Sequence, residues 1–248
     1  MARDWGAESL RLTLFSPDTV ALSDADWTAV TGEQEATTRQ IIPGGRRYVG
    51  SFAGGQLALS ASGPRVDITL SSAPPSLLGE SSTFELPIIG SWDSTRDAFV
   101  VATQKWLSEF KFPVVRLAFA AVLLSEAKSV ADSYQVLKGF LKSVNVDPDG
   151  MRELIFRINW PEKSEVAGLT LNRITNWSAL QIGTMHVQLS GQSISGIGSP
   201  PVKFAVRLEM DHNTDQENKR PFEREVLAPI YKELVEKASE NAEFGERP

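Results

Sequence analysis

The sequence predicts an α+β protein made of two similar units, each an antiparallel sheet covered by helices. Strand patterns come in groups with helical patterns between the groups, which is the order typical of this class. Each half of the chain has the order strand, helix, strands, helix. In addition, LRLTL in the first half resembles VRLAF in the second, with Arg11 and Arg116 in matching places. We therefore expect one unit over residues 1–112 and another over 113–241, as in a tandem duplication; a single larger sheet is the alternative.

The first unit opens with a strand, a short helix and a hairpin. Ser9–Phe15 alternates apolar and polar residues, which indicates a half-buried strand. Ser23, with Asp26 three residues later, has the pattern of a capping box and predicts a helix start. Arg47–Ala61 and Arg65–Leu70 are strand patterns that flank a Ser-Gly-Pro turn, so we expect them to pair as a hairpin.

A long helix closes the first unit. The pattern runs over Ser91–Phe110, and Pro113 ends it. The residues at helical spacing that define its inward face are Phe99, Thr103, Trp106 and Phe110.

The second unit repeats this order. Val114–Leu124 is predicted to be a buried strand, and Lys128–Val144 a helix with apolar residues at steps of three and four. Further strands are predicted over Arg152–Trp160, Leu169–Ile182 and Met185–Leu189.

The last part of the chain holds a loop, a strand and a helix. Residues 190–201 are rich in Ser, Gly and Pro and are predicted to form a flexible loop. Val202–Asp211 is the clearest strand pattern of the chain. Pro221–Asn241 is predicted to be a helix that Pro229 kinks or splits. Residues 242–248 are predicted to be a disordered tail.

The composition excludes several kinds of chemistry. The 248 residues include no cysteine and only two histidines, which removes thiol nucleophiles, disulfides, thiolate zinc sites and most multi-histidine metal centres. His186 lies inside a predicted strand and is expected to be structural. The net charge of −6 argues against a duplex nucleic-acid binder, because such a protein needs clustered Lys and Arg to neutralise phosphates.

The chain carries no sequence signal for export or for a membrane. Its first residues have no apolar core of a signal peptide. The longest apolar stretch, FPVVRLAFAAVLL, contains Arg116 and is too short to span a bilayer. We therefore expect a cytoplasmic bacterial protein.

One candidate site lies on the late strand. Strand alternation places Lys203, Arg207, Glu209 and Asp211 on one face. His212 follows directly. Glu209 and Asp211 are the hard oxygen ligands that Mg²⁺ or Mn²⁺ prefers, with His212 as an acid or base beside the metal. The alternative is a solvated face on which these charges pair with one another.

A second candidate is a binding patch. Arg157 and Asn159 share the polar face of their strand and would join Arg207 if the two strands were neighbours, a point that the sequence does not fix. Trp177 lies near a predicted strand edge, as Trp5 and Trp92 lie near loops, and tryptophan in such places often anchors an interface. The sequence therefore predicts a polar binding patch, with Trp177 among its residues.

Several motifs together resemble a known family. They are the LRLTLF strand before a short helix, the LALSASGPRVDITL hairpin, the RELIFRINW strand, and VKFAVRLEMDHNTD before the last helix. With these motifs the chain resembles a sporadically distributed family of uncharacterised bacterial proteins. The resemblance covers most of the chain and implies an α+β bacterial protein. It implies no catalytic residues.

Three functions remain open. The first is a non-enzymatic accessory protein of a bacterial complex that binds another protein; no cofactor is expected, and self-association is left open. The second is a metal-dependent phosphodiesterase or nuclease that uses Glu209, Asp211 and His212 with Mg²⁺ or Mn²⁺. The third is a sensor of a small molecule or nucleotide with its pocket between the two units. We expect binding rather than catalysis.

Overall fold

The computed structural model describes residues 3–32, 34–73, 85–183, 187–190, 193–196 and 202–246. Its strands are β1 Gly6–Phe15, β2 Thr38–Ile42, β3 Gly45–Phe52, β4 Gly55–Ser62, β5 Arg65–Ser71, β6 Gly90–Ser91, β7 Arg116–Ala127, β8 Ile155–Asn159, β9 Glu162–Lys163, β10 Thr170–Gly183, β11 Val187–Ser190, β12 Ser193–Gly196 and β13 Val202–Thr214. Its helices are α1 Asp24–Thr31, α2 Trp92–Glu109, α3 Val130–Phe140 and α4 Arg224–Phe244. The protein is α+β, as predicted.

One antiparallel sheet of eleven strands runs through the protein. Nine strands follow one another in the order β2-β3-β4-β5-β1-β7-β13-β10-β8, while β6 pairs with β1 and β9 with β10. The centre is the pairing of β1 with β7, in which Arg11 lies opposite Ala120 and Phe15 opposite Arg116. The alternative of a single larger sheet is therefore the observed arrangement. Strands before and after residue 112 belong to the same sheet.

The two halves nevertheless share one topology. Outward from the centre, the first half has the order β1-β5-β4-β3-β2 and the second β7-β13-β10-β8, so four positions correspond and the edge strand β2 has no counterpart on this path. In each half, the elements follow one another along the chain as one strand, one helix, further strands and a final helix. This likeness is what a duplication would produce, and the tandem duplication stays a prediction.

All four helices pack on the same face of the sheet. α2 contacts β1, α4 contacts β7 and β13, α3 contacts β10 and β13, and α1 packs on α2. One continuous apolar core fills the space between, with side chains such as Leu12, Phe119 and Leu208 fully buried. The helix starts follow their capping signals, since Ser91 and Ser129 accept hydrogen bonds from backbone N–H groups three residues later. The predicted capping box of Ser23 also forms.

Two predictions for the last quarter of the chain are wrong, and a third is wrong in part. β12 lies within the segment predicted to be a loop, because it pairs with β11 as a two-stranded hairpin. α4 continues through Pro229, so Pro229 does not split the helix, because a proline removes only one intrahelical hydrogen bond and tertiary packing holds the rest; a kink there stays a prediction. Residues 242–246 are not disordered: the carboxylate of Glu246 is buried and accepts hydrogen bonds from the backbone N–H and the hydroxyl of Ser143. Residues 247–248 lie outside the described residues.

Within the described ranges, none of the four helices has the length and apolar character needed to cross a membrane.

Candidate functional site

The face of the sheet opposite the helices, here called the open face, is the candidate site. It is uncovered along the described residues, because all four helices pack on the other side. In strands β1, β3, β5, β7, β8 and β13 it carries seven basic and five acidic side chains. They are Arg11, Arg47, Arg65, Arg116, Arg157, Lys203 and Arg207, with Glu8, Asp67, Glu126, Glu209 and Asp211. The open face is therefore net positive on a chain whose net charge is −6.

The carboxylates near the middle of the open face already have partners. Asp67 accepts two hydrogen bonds from Arg65, at 2.7 and 2.8 Å. Glu209 forms an ion pair with Arg207. Asp211 accepts a hydrogen bond of 3.2 Å from the side-chain amide of Asn213. Arginines within the sheet thus balance the charges of Asp67 and Glu209, whereas Asp211 is hydrogen-bonded to a neutral amide.

Arg11, by contrast, has no partner among the described residues. It lies on the central strand β1, opposite Thr69 on β5 and Ala120 on β7. These two residues are small, so the sheet surface is hollow beside the guanidinium. Among the described residues, the Nε atom of Arg11 is buried without a hydrogen bond, and no carboxylate forms an ion pair with its guanidinium. The Nε atom of Arg116 is also buried without a partner, but that guanidinium donates a hydrogen bond to Asn213. A buried donor of this kind is costly to leave unpaired, which marks Arg11 as the electrostatic centre of the face.

Two adjoining hollows meet at Arg11. One, of about 300 Å³, reaches over the second half to Arg157 and Asn176. The other, of about 420 Å³, reaches over the first half to Arg47. Their linings are mostly polar and charged side chains, so these hollows suit a polar ligand or a polar partner surface rather than an apolar small molecule.

The sheet brings most of the predicted binding residues to this face. β8 and β13 are not neighbours, because β10 lies between them, yet Arg157, Asn176 and Glu209 form one row across the three strands. Arg207 lies between Glu8 and Glu209 and pairs with both. Asn159 is used inside the sheet: its amide donates to Asn172 and its oxygen accepts from the backbone of Arg173. Arg157 is thus the predicted residue that remains exposed and without a described ion pair.

His212 does not join Glu209 and Asp211, which corrects the prediction of a shared site. β13 continues to Thr214, so alternation puts His212 on the helix side, where it is fully buried. Burial first, and the charge of Arg173 second, lower the pKa of His212 to about 3, with a weak opposing contribution from the backbone of Leu234. His212 is therefore a neutral core residue and has no access to the carboxylates of the open face.

Trp177 is also a core residue, and its prediction as an interface anchor is wrong. It is fully buried and stacks on Phe140, with ring centroids 5.2 Å apart, and its edge meets Trp5. Trp5 and Trp92 are each only 5% exposed. Interface anchors must be accessible, so none of these three tryptophans serves that role. His186, the other histidine, lies outside the described residues.

Sequence reasoning missed the central position of Arg11 and the role of Asn176. The signal for Arg11 was present, since it lies on the polar side of β1 and matches Arg116 in the second half. Nothing in the local sequence, however, shows whether an arginine has an ion-pair partner on another strand.

Searches against protein-family models, curated proteins and solved structures found no match to this chain. The resemblance to the uncharacterised bacterial family accordingly stays a prediction.

Proposed function

We propose that this protein is a non-enzymatic interaction protein, an accessory subunit of a bacterial complex, that binds another protein on its open face. The observation that carries the proposal is the unpaired guanidinium of Arg11 at the centre of a broad, uncovered and net positive sheet face. A solvated antiparallel face usually balances its charges by cross-strand pairs. Among the described residues the carboxylates have ion-pair or hydrogen-bond partners, whereas the central guanidinium of Arg11 has none.

The arrangement of titratable groups favours binding over acid–base or metal chemistry. His212 and the pair of Glu209 and Asp211 lie on opposite sides of the sheet. Within the described ranges, no three His, Asp or Glu side chains are grouped closely enough to hold a metal ion. The hydrolase hypothesis needed both the three residues together and carboxylates free to bind the ion.

The hollow between the halves also bears on the sensor hypothesis. That hypothesis expects an apolar cleft that encloses most of a small ligand. The hollow beside Arg11 instead has a charged lining that includes Glu209 and Asp211, and it lies on an extended sheet surface. Such a surface is better suited to part of a larger polar partner. We place this partner and the protein in the bacterial cytoplasm as part of the same proposal.

Affinity purification after chemical cross-linking in the source bacterium tests the proposal. The wild type is compared with Arg11→Glu and with Lys232→Glu, a matched reversal on the exposed side of α4, where the Lys232 side chain is 68% exposed. We expect one stoichiometric protein partner with the wild type and Lys232→Glu, and its loss with Arg11→Glu. Arg157→Glu, at an exposed position of the same face, repeats the test without touching the centre of the sheet.

Two results would contradict the proposal. Recovery of no specific partner by the wild type would contradict an interaction function. Equal recovery of a partner by all the variants would place its interface away from the open face.

A further inference from the structure

We infer that the partner presents an acidic, extended polypeptide segment, and that one of its carboxylates binds Arg11 between the two halves of the sheet. This inference rests on the proposed function and names the chemistry that the open face recognises. It depends on the positions of the unpaired cations, on the groups that surround them, and on one unpaired acceptor.

Three arginines of the open face have neither an ion pair nor a side-chain hydrogen bond in the described part of the chain: Arg11, Arg47 and Arg157. Arg116 also lacks an ion pair there, but it donates a hydrogen bond to Asn213 and lies over the ring of Phe15. Arg11 is on β1, Arg47 is three strands away on β3, and Arg157 is four strands away on β8. Along the strand direction, Arg47 lies one side-chain row to one side of the row of Arg11, and Arg157 lies one row to the other side. The three arginines therefore lie along one diagonal of the face, with Arg11 in the middle.

The spacing along this diagonal follows from sheet geometry. Strands are about 4.8 Å apart and side-chain rows on one face about 6.7 Å, which puts the Cα atom of Arg11 roughly 16 Å from that of Arg47 and roughly 20 Å from that of Arg157. An extended polypeptide advances about 3.3 Å per residue. Acidic residues five or six positions apart would thus meet successive arginines.

The wide spacing argues against a nucleic-acid strand as the occupant. Phosphates follow one another closely along each strand, so several would fall between neighbouring arginines. Those phosphates would lie near Asp67, Glu209 and Asp211, which line the same two hollows. A sparse series of carboxylates avoids this repulsion, because the residues between them are neutral.

The unpaired acceptor points to the same kind of partner. The side-chain oxygen of Asn176 is buried, has no hydrogen-bond partner and lines the hollow between Arg11 and Arg157. It needs a donor, and a polypeptide supplies one at almost every residue through its backbone N–H. A phosphodiester backbone has no N–H group to offer.

The position of Arg11 suits a carboxylate in particular. Its Nε atom is buried and unpaired, while Thr69 and Ala120 on either side leave room above the sheet. A carboxylate can accept two parallel hydrogen bonds from a guanidinium, and these bonds are stronger where water is partly excluded. A bound carboxylate would thus supply the Arg11 guanidinium with the partner that it lacks among the described residues.

Fluorescence anisotropy with a defined probe tests the inference. The probe is a labelled Gly/Ser peptide with three glutamates five residues apart; the matched peptide has glutamines, and an oligothymidine is the anionic control. At about 50 mM salt, where charge pairs are weakly screened, we expect the glutamate peptide to bind at least about tenfold more tightly than the glutamine peptide and the oligothymidine. Arg11→Gln should weaken glutamate-peptide binding about tenfold, as expected for one charge-assisted contact. Lys232→Gln, with the same charge change on α4, should leave it unchanged, and equal thermal midpoints will show that both variants are folded.

The possible failures can be told apart. Absence of glutamate-peptide binding, or binding that Arg11→Gln does not weaken, would overturn the acidic-segment inference. Tighter binding of the oligothymidine that depends on Arg11 would overturn it in favour of nucleic acid. If the peptide fails but cross-linking recovers a protein partner through Arg11, the interaction function stands and only the chemistry assigned to the partner is wrong.

Discussion

His212 should make the protein lose stability in mild acid. The ring is fully buried beside Arg173, and its pKa in the native state is about 3. In the unfolded chain a histidine has a pKa near 6.5. Between these two values the unfolded state binds a proton that the native state does not, so acid favours unfolding. The stability contributed by a neutral His212 is fully present above about pH 6.5 and is lost as the pH falls toward 3.

The size of the effect follows from the two pKa values. Each pH unit between them changes the free energy of unfolding by at most about 1.4 kcal/mol. Lowering the pH from 7 to 5 crosses about 1.5 units of this interval. His212 alone should therefore remove about 2 kcal/mol of stability, a large part of the typical 5–15 kcal/mol of a folded domain.

Urea unfolding of the wild type and His212→Leu at pH 7 and pH 5 measures this term. Neither ring nitrogen of His212 makes a hydrogen bond of normal geometry, so leucine removes no pairing and should fold well at pH 7. We expect the wild type to lose about 2 kcal/mol more than His212→Leu between the two pH values, because other titrating groups cancel in the comparison. Equal acid losses in the wild type and His212→Leu would refute the reasoning.

Four other positions give predictions for the free energy of unfolding, each checked by urea unfolding at pH 7. Glu246→Ala should cost about 1–3 kcal/mol, because the backbone and hydroxyl donors of Ser143 lose a buried carboxylate; an unchanged midpoint would mean that the end of the chain contributes nothing. Trp177→Ala should cost about 3–5 kcal/mol, whereas Trp177→Phe should cost much less, since the indole N–H has no hydrogen-bond partner. Gly139→Ala, in an exposed part of α3 with nothing within 4 Å of the new methyl, should stabilise by about 0.5–1 kcal/mol. Gly245→Ala should destabilise, because φ is +100° and the new Cβ would clash with the backbone oxygen of Phe140; a reversed order of the two glycine variants would contradict this account.

Local patterns predicted the elements well because they depend on neighbouring residues. The cap at Ser91 and the apolar face with Phe99 and Trp106 placed α2 within a residue at each end. The alternation in Ser9–Phe15 likewise found β1, whose leucines face the core. In α2 the hydrophobic period agrees with the capping residue, and in β1 the alternation agrees with the buried face. Tertiary packing therefore does not change either assignment.

The error at His212 arose from where its strand was taken to end. Had alternation been continued from Asp211 to Thr214, His212 would have fallen on the apolar side with Met210. Trp177 was judged by its nearness to a strand edge, although it shares the core face of β10 with Leu171. A strand end shifted by a few residues is enough to move a side chain from a site to the core.

The open face itself could not be derived from the sequence. It depends on β1 lying beside β7 and on β10 lying between β8 and β13, and these pairings join residues far apart in the chain. Whether Arg11 is paired or free is decided by such neighbours. No local pattern contains that information.

The central position of β1 has a consequence for synthesis of the chain. β1 is complete by Phe15, but its partner β7 starts only at Arg116, about a hundred residues later. At the usual ribosomal rates of about 5–20 residues per second, β1 waits roughly 5–20 s with one edge unpaired and its leucines ready to pack. The edge of β1 that will pair with β7 pairs in the antiparallel sense. Two nascent chains can therefore pair through this same free edge of β1, as a symmetric dimer. Neighbouring ribosomes on one message would bring such edges together, so the growing chain should need a chaperone during this interval even though the finished sheet buries both central edges.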